Sequence, residues 1–314
     1  MRKPIMFGLI VLAAVAASQA SATELGVYEG AGCTGAQRIP GFNQWLGKPV
    51  ARSLDFIASQ TFANMVQELG WEATCWQKAN LGIRMTFAVP MLTNEPTVSL
   101  ARGAAGDYDE YYTQVGEILM KHGWSDAILR VGWEFNGGWY KWAAKKDPTS
   151  WVTYFQRIVT RLRATPGNHF MIDWNPSIFV QQIPPDQVYP GDQYVDVIGI
   201  DVYDQYWGPA NVQASPQLRW KAFLSESHGL DWVVSFAKEH KKPISVPEWG
   251  VATRADGHGG GDNPYFVEQM AAWFQANNVR YQNYFDFNMK NMEFKISNGQ
   301  FPESAAAFKR IFGK

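Results

Sequence analysis

The chain has 314 residues, 28 Lys and Arg against 29 Asp and Glu, and a formal net charge of -1; with no long basic run, a nucleic-acid partner is excluded on charge grounds. Two cysteines and five scattered histidines provide no metal-ligand spacing, so neither a metal nor any other cofactor is expected. Fourteen tryptophans, 13 tyrosines and 19 phenylalanines exceed what a core usually needs, and flat apolar faces of this kind suit sugar rings.

Arg2 and Lys3 precede an apolar run from Ile5 to Ala17, and Ala20-Ser21-Ala22 has the small-x-small form of a cleavage site. Residues 1–22 therefore read as a secretory signal peptide, because the apolar run is shorter than the ~20 residues of a bilayer span. The mature chain, 23–314, is expected to be periplasmic or secreted, to have no membrane attachment after cleavage, and to be a monomer. In an oxidising compartment Cys33 and Cys75 are candidates for one disulfide.

Strand-like runs then follow in order: Leu25 to Tyr28, Val50 to Phe56, Gly82 to Val89, Ala127 to Gly132, His169 to Trp174, Val195 to Val202, Pro243 to Pro247 and Tyr281 to Phe287. Most are short, apolar and rich in β-branched or aromatic residues, as strands buried on both faces should be. Between them lie segments with apolar spacings of three and four, such as "DYDEYYTQVGEILMKHG" and "DWVVSFAKEH". Two others, "DPTSWVTYFQRIVTRLRA" and "NPYFVEQMAAWFQANN", open with a capping residue ahead of a proline. Strict alternation predicts a parallel sheet with crossover helices, and eight units favour a single-domain α/β fold, the (β/α)8 TIM barrel, over an open doubly wound sheet. Neither a GxGxxG fingerprint nor a GxxxxGK[ST] loop follows an early strand.

In such barrels the working residues stand at the carboxyl ends of the strands. The polar residues at those ends are Asp55, Arg130 with Glu134, Asn175, Asp201 with Tyr203, Glu248, and Asp286 with Asn288. Glu134 and Glu248 follow the fourth and seventh strands, whose ends can face each other across the mouth. Glycoside hydrolysis needs such a pair, one carboxyl group to protonate the leaving oxygen and one to attack or to activate water.

The segment "RVGWEFNGGWYKW" (130–142) resembles the acid/base segment of glycoside hydrolase family 26. "YVDVIGIDVYD" (194–204) resembles that family's sixth strand and "KKPISVPEWGV" (241–251) its nucleophile strand, all in family order. The resemblance implies a retaining clan A β-glycanase, β-mannanase-like, with Glu134 as general acid/base and Glu248 as nucleophile. One residue departs: Trp133 stands where the family commonly has histidine, which puts the identity of the sugar in doubt and leaves Asn136 or Asn175 as candidates for the missing contact.

Within this reading Glu134 must hold a proton, and burial among aromatic rings should raise its pKa. Arg130 is expected to point toward Glu248, and Tyr203 to position that carboxylate. Asp201 is expected to bind a sugar hydroxyl or fix an arginine, and Asp55 and Asp286 to bind hydroxyls. Trp139, Trp142, Trp174, Trp207 and Trp249 are candidates for sugar stacking, of which two or three are expected to line the groove. The expected substrate is a neutral polysaccharide or oligosaccharide, β-1,4-mannan first; β-glucan, β-xylan, a bacterial exopolysaccharide, or binding without catalysis are the alternatives.

Overall fold

The computed structural model describes residues 23–208 and 214–313. The proposed signal peptide, residues 1–22, lies outside the described residues. Eight parallel strands form the barrel: β1 (Glu24–Tyr28), β2 (Arg52–Phe56), β3 (Arg84–Val89), β4 (Ile128–Val131), β5 (Met171–Trp174), β6 (Val197–Gly199), β8 (Ile244–Gly250) and β10 (Tyr281–Phe285). Pairing runs in that order, and β10 pairs with both β8 and β1, which closes the cylinder. A short strand β7 (Val202–Tyr203) continues the sixth unit and pairs with β8. Two further short strands, β9 (Thr253–Arg254) and β11 (Met292–Glu293), form an antiparallel ladder between the loops that follow β8 and β10.

The expected helices form where their patterns place them. The crossovers are α1 (Gly32–Leu46), α2 (Phe62–Ala79), α3 (Leu100–Ala105), α4 (Asp109–Lys121), α5 (Pro148–Arg163), α6 (Pro216–Ser225), α7 (Leu230–Glu239) and α8 (Pro264–Ala276), with α9 (Pro302–Phe312) after the last strand. The two proline-led starts are capped as the sequence suggests: Asp147 accepts from the Ser150 amide at 3.1 Å and Asn263 from the Phe266 amide at 3.2 Å. Each satisfies a donor that has no partner inside its own helix.

One contiguous apolar core lies between the strands and the helices. The barrel interior is different. Near its floor Ile128, Val197 and Tyr281 form a small separate cluster. Toward the mouth the inward positions turn polar: Asp173 accepts from Ser245 Oγ at 2.6 Å and from the Tyr281 hydroxyl at 2.5 Å, and the fully buried Arg130 lies above them.

Cys33 on α1 and Cys75 on α2 are joined by a disulfide with a Cα–Cα distance of 4.8 Å. It links residues 42 apart in sequence, so it restricts the unfolded chain as well as clamping two neighbouring helices. Replacing both cysteines by serine is expected to lower stability by about 2–4 kcal/mol, read as a lower urea midpoint, while kcat stays within about twofold because the bridge lies outside the barrel mouth.

Candidate active site

The carboxyl ends of the strands surround a cavity of about 920 Å³ whose lining includes both Glu134 and Glu248. Two local departures from regular strand geometry aim these side chains. After β4 the chain makes a tight turn in which Gly132 (φ 59°) and then Glu134 itself (φ 50°) adopt left-handed backbone. A glutamate pays a steric cost there, and its surroundings hold it in place: the Glu134 amide donates to the Asn175 carbonyl at 2.8 Å, and its carbonyl accepts from Gly137 at 3.0 Å. In β8 the register against β10 slips by one residue, so that Val246 and Trp249 sit opposite Gln282 and Tyr284. Ser245 faces the barrel interior, and simple alternation would turn position 248 outward; the extra residue turns Glu248 into the mouth and Trp249 out toward the helices.

Glu248 is held from two sides. Its Oε2 accepts from the Tyr203 hydroxyl at 2.8 Å, and its Oε1 lies 2.8 Å from Arg130 Nη2. The same guanidinium reaches Asp201 Oδ2 at 2.7 Å and, through Nε, Asn175 Oδ1 at 2.9 Å. A buried cation with two carboxylates and an amide around it is held in orientation, because swinging it away would leave buried carboxylates without their counter-charge.

Among the described residues no cation touches Glu134 directly. Burial, and after it the neighbouring charge of Glu248, push its carboxyl pKa up to about 7. The indole N–H of Trp139 donates to Glu134 Oε2 at 2.8 Å and pulls the other way, favouring the ionised form. The expectation that tryptophans keep this acid protonated is therefore corrected for Trp139.

The remaining expected site residues divide sharply. Trp139 and Trp207 line the cavity and are more than half exposed, at 53% and 56%. Asp201 lines it too, with one oxygen bound to Arg130. The others face elsewhere. Trp133 and Trp142 are buried behind the β4 turn, where Trp133 donates to the Tyr140 hydroxyl at 2.8 Å and Trp142 to the Trp133 carbonyl at 3.0 Å. Trp174 packs on Phe135, Tyr189 and Phe236, and Trp249 on Phe274, Tyr284 and Phe308, both on the helical side of their strands. Asn136 spends its amide on the backbone of Ser177 and Phe179, bracing the loop after β5. Asn175 is taken up by Arg130.

Asp55 and Asp286 are also corrected. Asp55 accepts from the amides of Gly32 and Phe56 and from the Trp76 indole. Asp286 accepts from the amides of Ile296 and Ser297 and pairs with Lys295 at 3.2 Å. Each carboxylate stitches a loop to a strand end, so neither is free to bind a hydroxyl.

Sequence reasoning overlooked Tyr28, Phe56, Phe285 and Arg254, all of which line the cavity. The first three are the last residues of β1, β2 and β10. Their position was visible, but a search for polar strand-end groups passes over rings.

A carboxyl group can donate a proton only when neutral, so if Glu134 is the general acid, kcat/KM is expected to fall as pH rises through about 7. Trp139→Phe removes the donor that favours the charged form, so the basic limb of the pH profile should move to higher pH. An unchanged limb would show that the indole does not reach the carboxylate in solution.

A sequence profile described as Glycosyl hydrolase family 26 matches residues 118–217, which include the β4 turn, Glu134, Asp201 and Tyr203. Among curated proteins, "Endoglucanase H" of Acetivibrio thermocellus is 26% identical over 261 residues, covering 72% of this chain and 24% of that protein. The chain thus spans about a quarter of the length of that relative. Among solved structures, GH26C from a Muricauda species superposes with a TM-score of 0.65 at 17% identity, over 92% of this chain and 84% of that one. The catalytic domain of the Bacillus sp. JAMB-750 GH26 endo-beta-1,4-mannanase gives a TM-score of 0.64 at 17% identity, over 92% and 85%. The chain thus resembles glycoside hydrolase family 26 in sequence across residues 118–217 and shares the barrel of these solved family 26 proteins over most of its length.

Proposed function

We propose that the protein is an exported, retaining endo-β-glycosidase that hydrolyses a neutral polysaccharide by double displacement, with β-1,4-mannan as the first substrate to assay. The observation that carries this reading is the unequal setting of two carboxyl groups in one cavity. Glu134 holds its proton up to about pH 7, while Glu248 is gripped by a guanidinium and a phenol hydroxyl.

In the first step a Glu248 oxygen bonds to the anomeric carbon as the glycosidic C–O bond breaks, and the Glu134 proton passes to the departing oxygen. Charge lost from Glu248 as it attacks weakens its pull on Arg130, which keeps Asp201 as a partner, so the guanidinium is never left unpaired. In the second step ionised Glu134 takes a proton from water, the water oxygen bonds to the anomeric carbon, and the ester bond to Glu248 breaks. Two inversions return the starting configuration. Tyr203 can follow the Glu248 oxygen through both steps.

Exposed Trp139 and Trp207 offer stacking faces at the cavity rim, which suits a polymer entering along its length. Mannan is favoured by the family signature and by the barrel shared with a solved endo-β-1,4-mannanase. The likeness to an endoglucanase makes β-glucan the second polymer to test. Export is supported by the Cys33–Cys75 bridge, since such bonds persist mainly in oxidising compartments.

Glu248→Gln is expected to lower kcat by at least about 10⁴-fold while leaving polymer affinity nearly unchanged, as a nucleophile acts in the transition state. Glu134→Ala should regain turnover on an activated aryl glycoside when azide is added, with a glycosyl azide of retained configuration seen by NMR. Full activity of the Glu248 variant would refute Glu248 as the nucleophile, whereas polymer binding without turnover by the wild type would instead leave a carbohydrate-binding barrel. Protein recovered from the producing cell's exterior or periplasm should begin at Thr23 on N-terminal sequencing; a product that keeps residues 1–22 would defeat the export assignment.

A further inference from the structure

The cavity is not uniform. Its lining from β1, β2, β10 and the loop after β10 consists of Tyr28, Phe56, Phe285, Phe287, Phe294 and two methionines; among these described residues the Tyr28 hydroxyl is the only polar side-chain group. The three strands are neighbours in the barrel, so their ends form one continuous arc beside Glu248. The opposite rim carries Ser177, Gln181 and Gln205 between its tryptophans, and Arg254 bridges the two sides, its Nη1 lying 3.2 Å from Gln205 Oε1 and 2.8 Å from Met292 Sδ at the edge of the arc.

The arc could have been polar, because each of its strand ends carries a carboxylate. Asp55 and Asp286 are consumed by backbone amides, and Glu29 is tied to Lys295 Nζ at 2.6 Å. All three are buried, which leaves the rings facing the cavity. Nor is the arc a flat platform. Tyr28 and Phe285 stack at 27°, but Phe56 meets Tyr28 at an interplanar angle of 85°, and Phe294 and Phe287 meet Phe285 at 82° and 90°, so the outer rings stand up around the central pair. A sugar ring stacks on one plane, whereas rings set edge to face enclose a concave apolar niche suited to a small alkyl group. Seating an ordinary hydroxylated sugar there would strip hydroxyls of water without giving them partners, which is unfavourable.

We infer that this aromatic arc is a specificity pocket for a methyl-bearing substituent on the sugar beside the cleaved bond, either an O-acetyl ester or the C6 methyl of a 6-deoxyhexose. The inference rests on the hydrolase reading above and narrows its substrate to a decorated polysaccharide. A methyl group that fills the niche is worth about tenfold or more in kcat/KM.

The test compares kcat/KM of the wild-type chain on O-acetylated glucomannan and O-acetylated xylan, each beside its alkali-deacetylated form, and on a bacterial exopolysaccharide containing 6-deoxyhexose. At least about tenfold preference for an acetylated polymer supports the ester source. Cleavage of the deoxyhexose polymer at least about tenfold faster than of every deacetylated polymer supports the other. In either case Phe287→Ser, which places a hydroxyl on a partly exposed part of the wall, should bring the ratio toward one. Equal or faster cleavage of the bare polymers, or a ratio that survives Phe287→Ser, overturns the pocket and leaves the hydrolase reading standing. If the wild type cuts nothing, binding by Glu248→Gln decides: the same preference in affinity upholds the pocket while the hydrolase reading fails, and equal or absent binding overturns both.

Discussion

The guanidinium of Arg130 is the constraint around which the mouth of this barrel is arranged. It sits at the end of β4 with no exposure to solvent, and a buried cation demands nearby negative charge. Asp201 and Glu248 supply that charge from the sixth and seventh barrel units, and Asn175 supplies an acceptor from the fifth. Four consecutive barrel units are thereby tied at one point. Glu248 is held as a consequence, because the residue proposed to attack is also one of the two carboxylates that keep the cation satisfied.

The same economy explains why Glu134 differs from Glu248 although both border one cavity. Arg130 is engaged on the far side of the pair, so Glu134 meets burial and a neighbouring carboxylate before it meets any cation. Its left-handed backbone and the hydrogen bond its backbone N–H donates to the Asn175 carbonyl connect it to the residue that also orients Arg130. The two carboxyl groups proposed to act together are thus positioned by one network.

Much of this was legible in the chain. Eight alternations of apolar run and amphipathic segment identify the barrel, because a strand covered on both faces and a helix covered on one leave different periodicities. The Asp-Pro and Asn-Pro helix starts were readable for a local reason: a cap and its amide lie within three residues. Arg130, Tyr203 and the two glutamates could be placed at strand ends and meet where that placement put them. The tryptophans misled. Trp174 and Trp249 stand at strand ends beside inward-facing residues, and a period of two sends neighbours to opposite faces. Asp55 and Asp286 had the right position and chemistry but were claimed by loop amides whose approach depends on distant folding.

The sequence by itself determined the barrel, the order of its units and the pair of acids, since these follow from periodicity and from residue type at the end of each run. Only the tertiary structure decided which way each side chain faces and what remains free to bind. A one-residue slip in β8 turns Glu248 inward, and a left-handed turn aims Glu134. Buried carboxylates spent on backbone amides leave rings, not hydroxyl partners, along one wall of the cavity. Those outcomes depend on groups far apart in the chain competing for the same hydrogen bonds, a competition that no local pattern records.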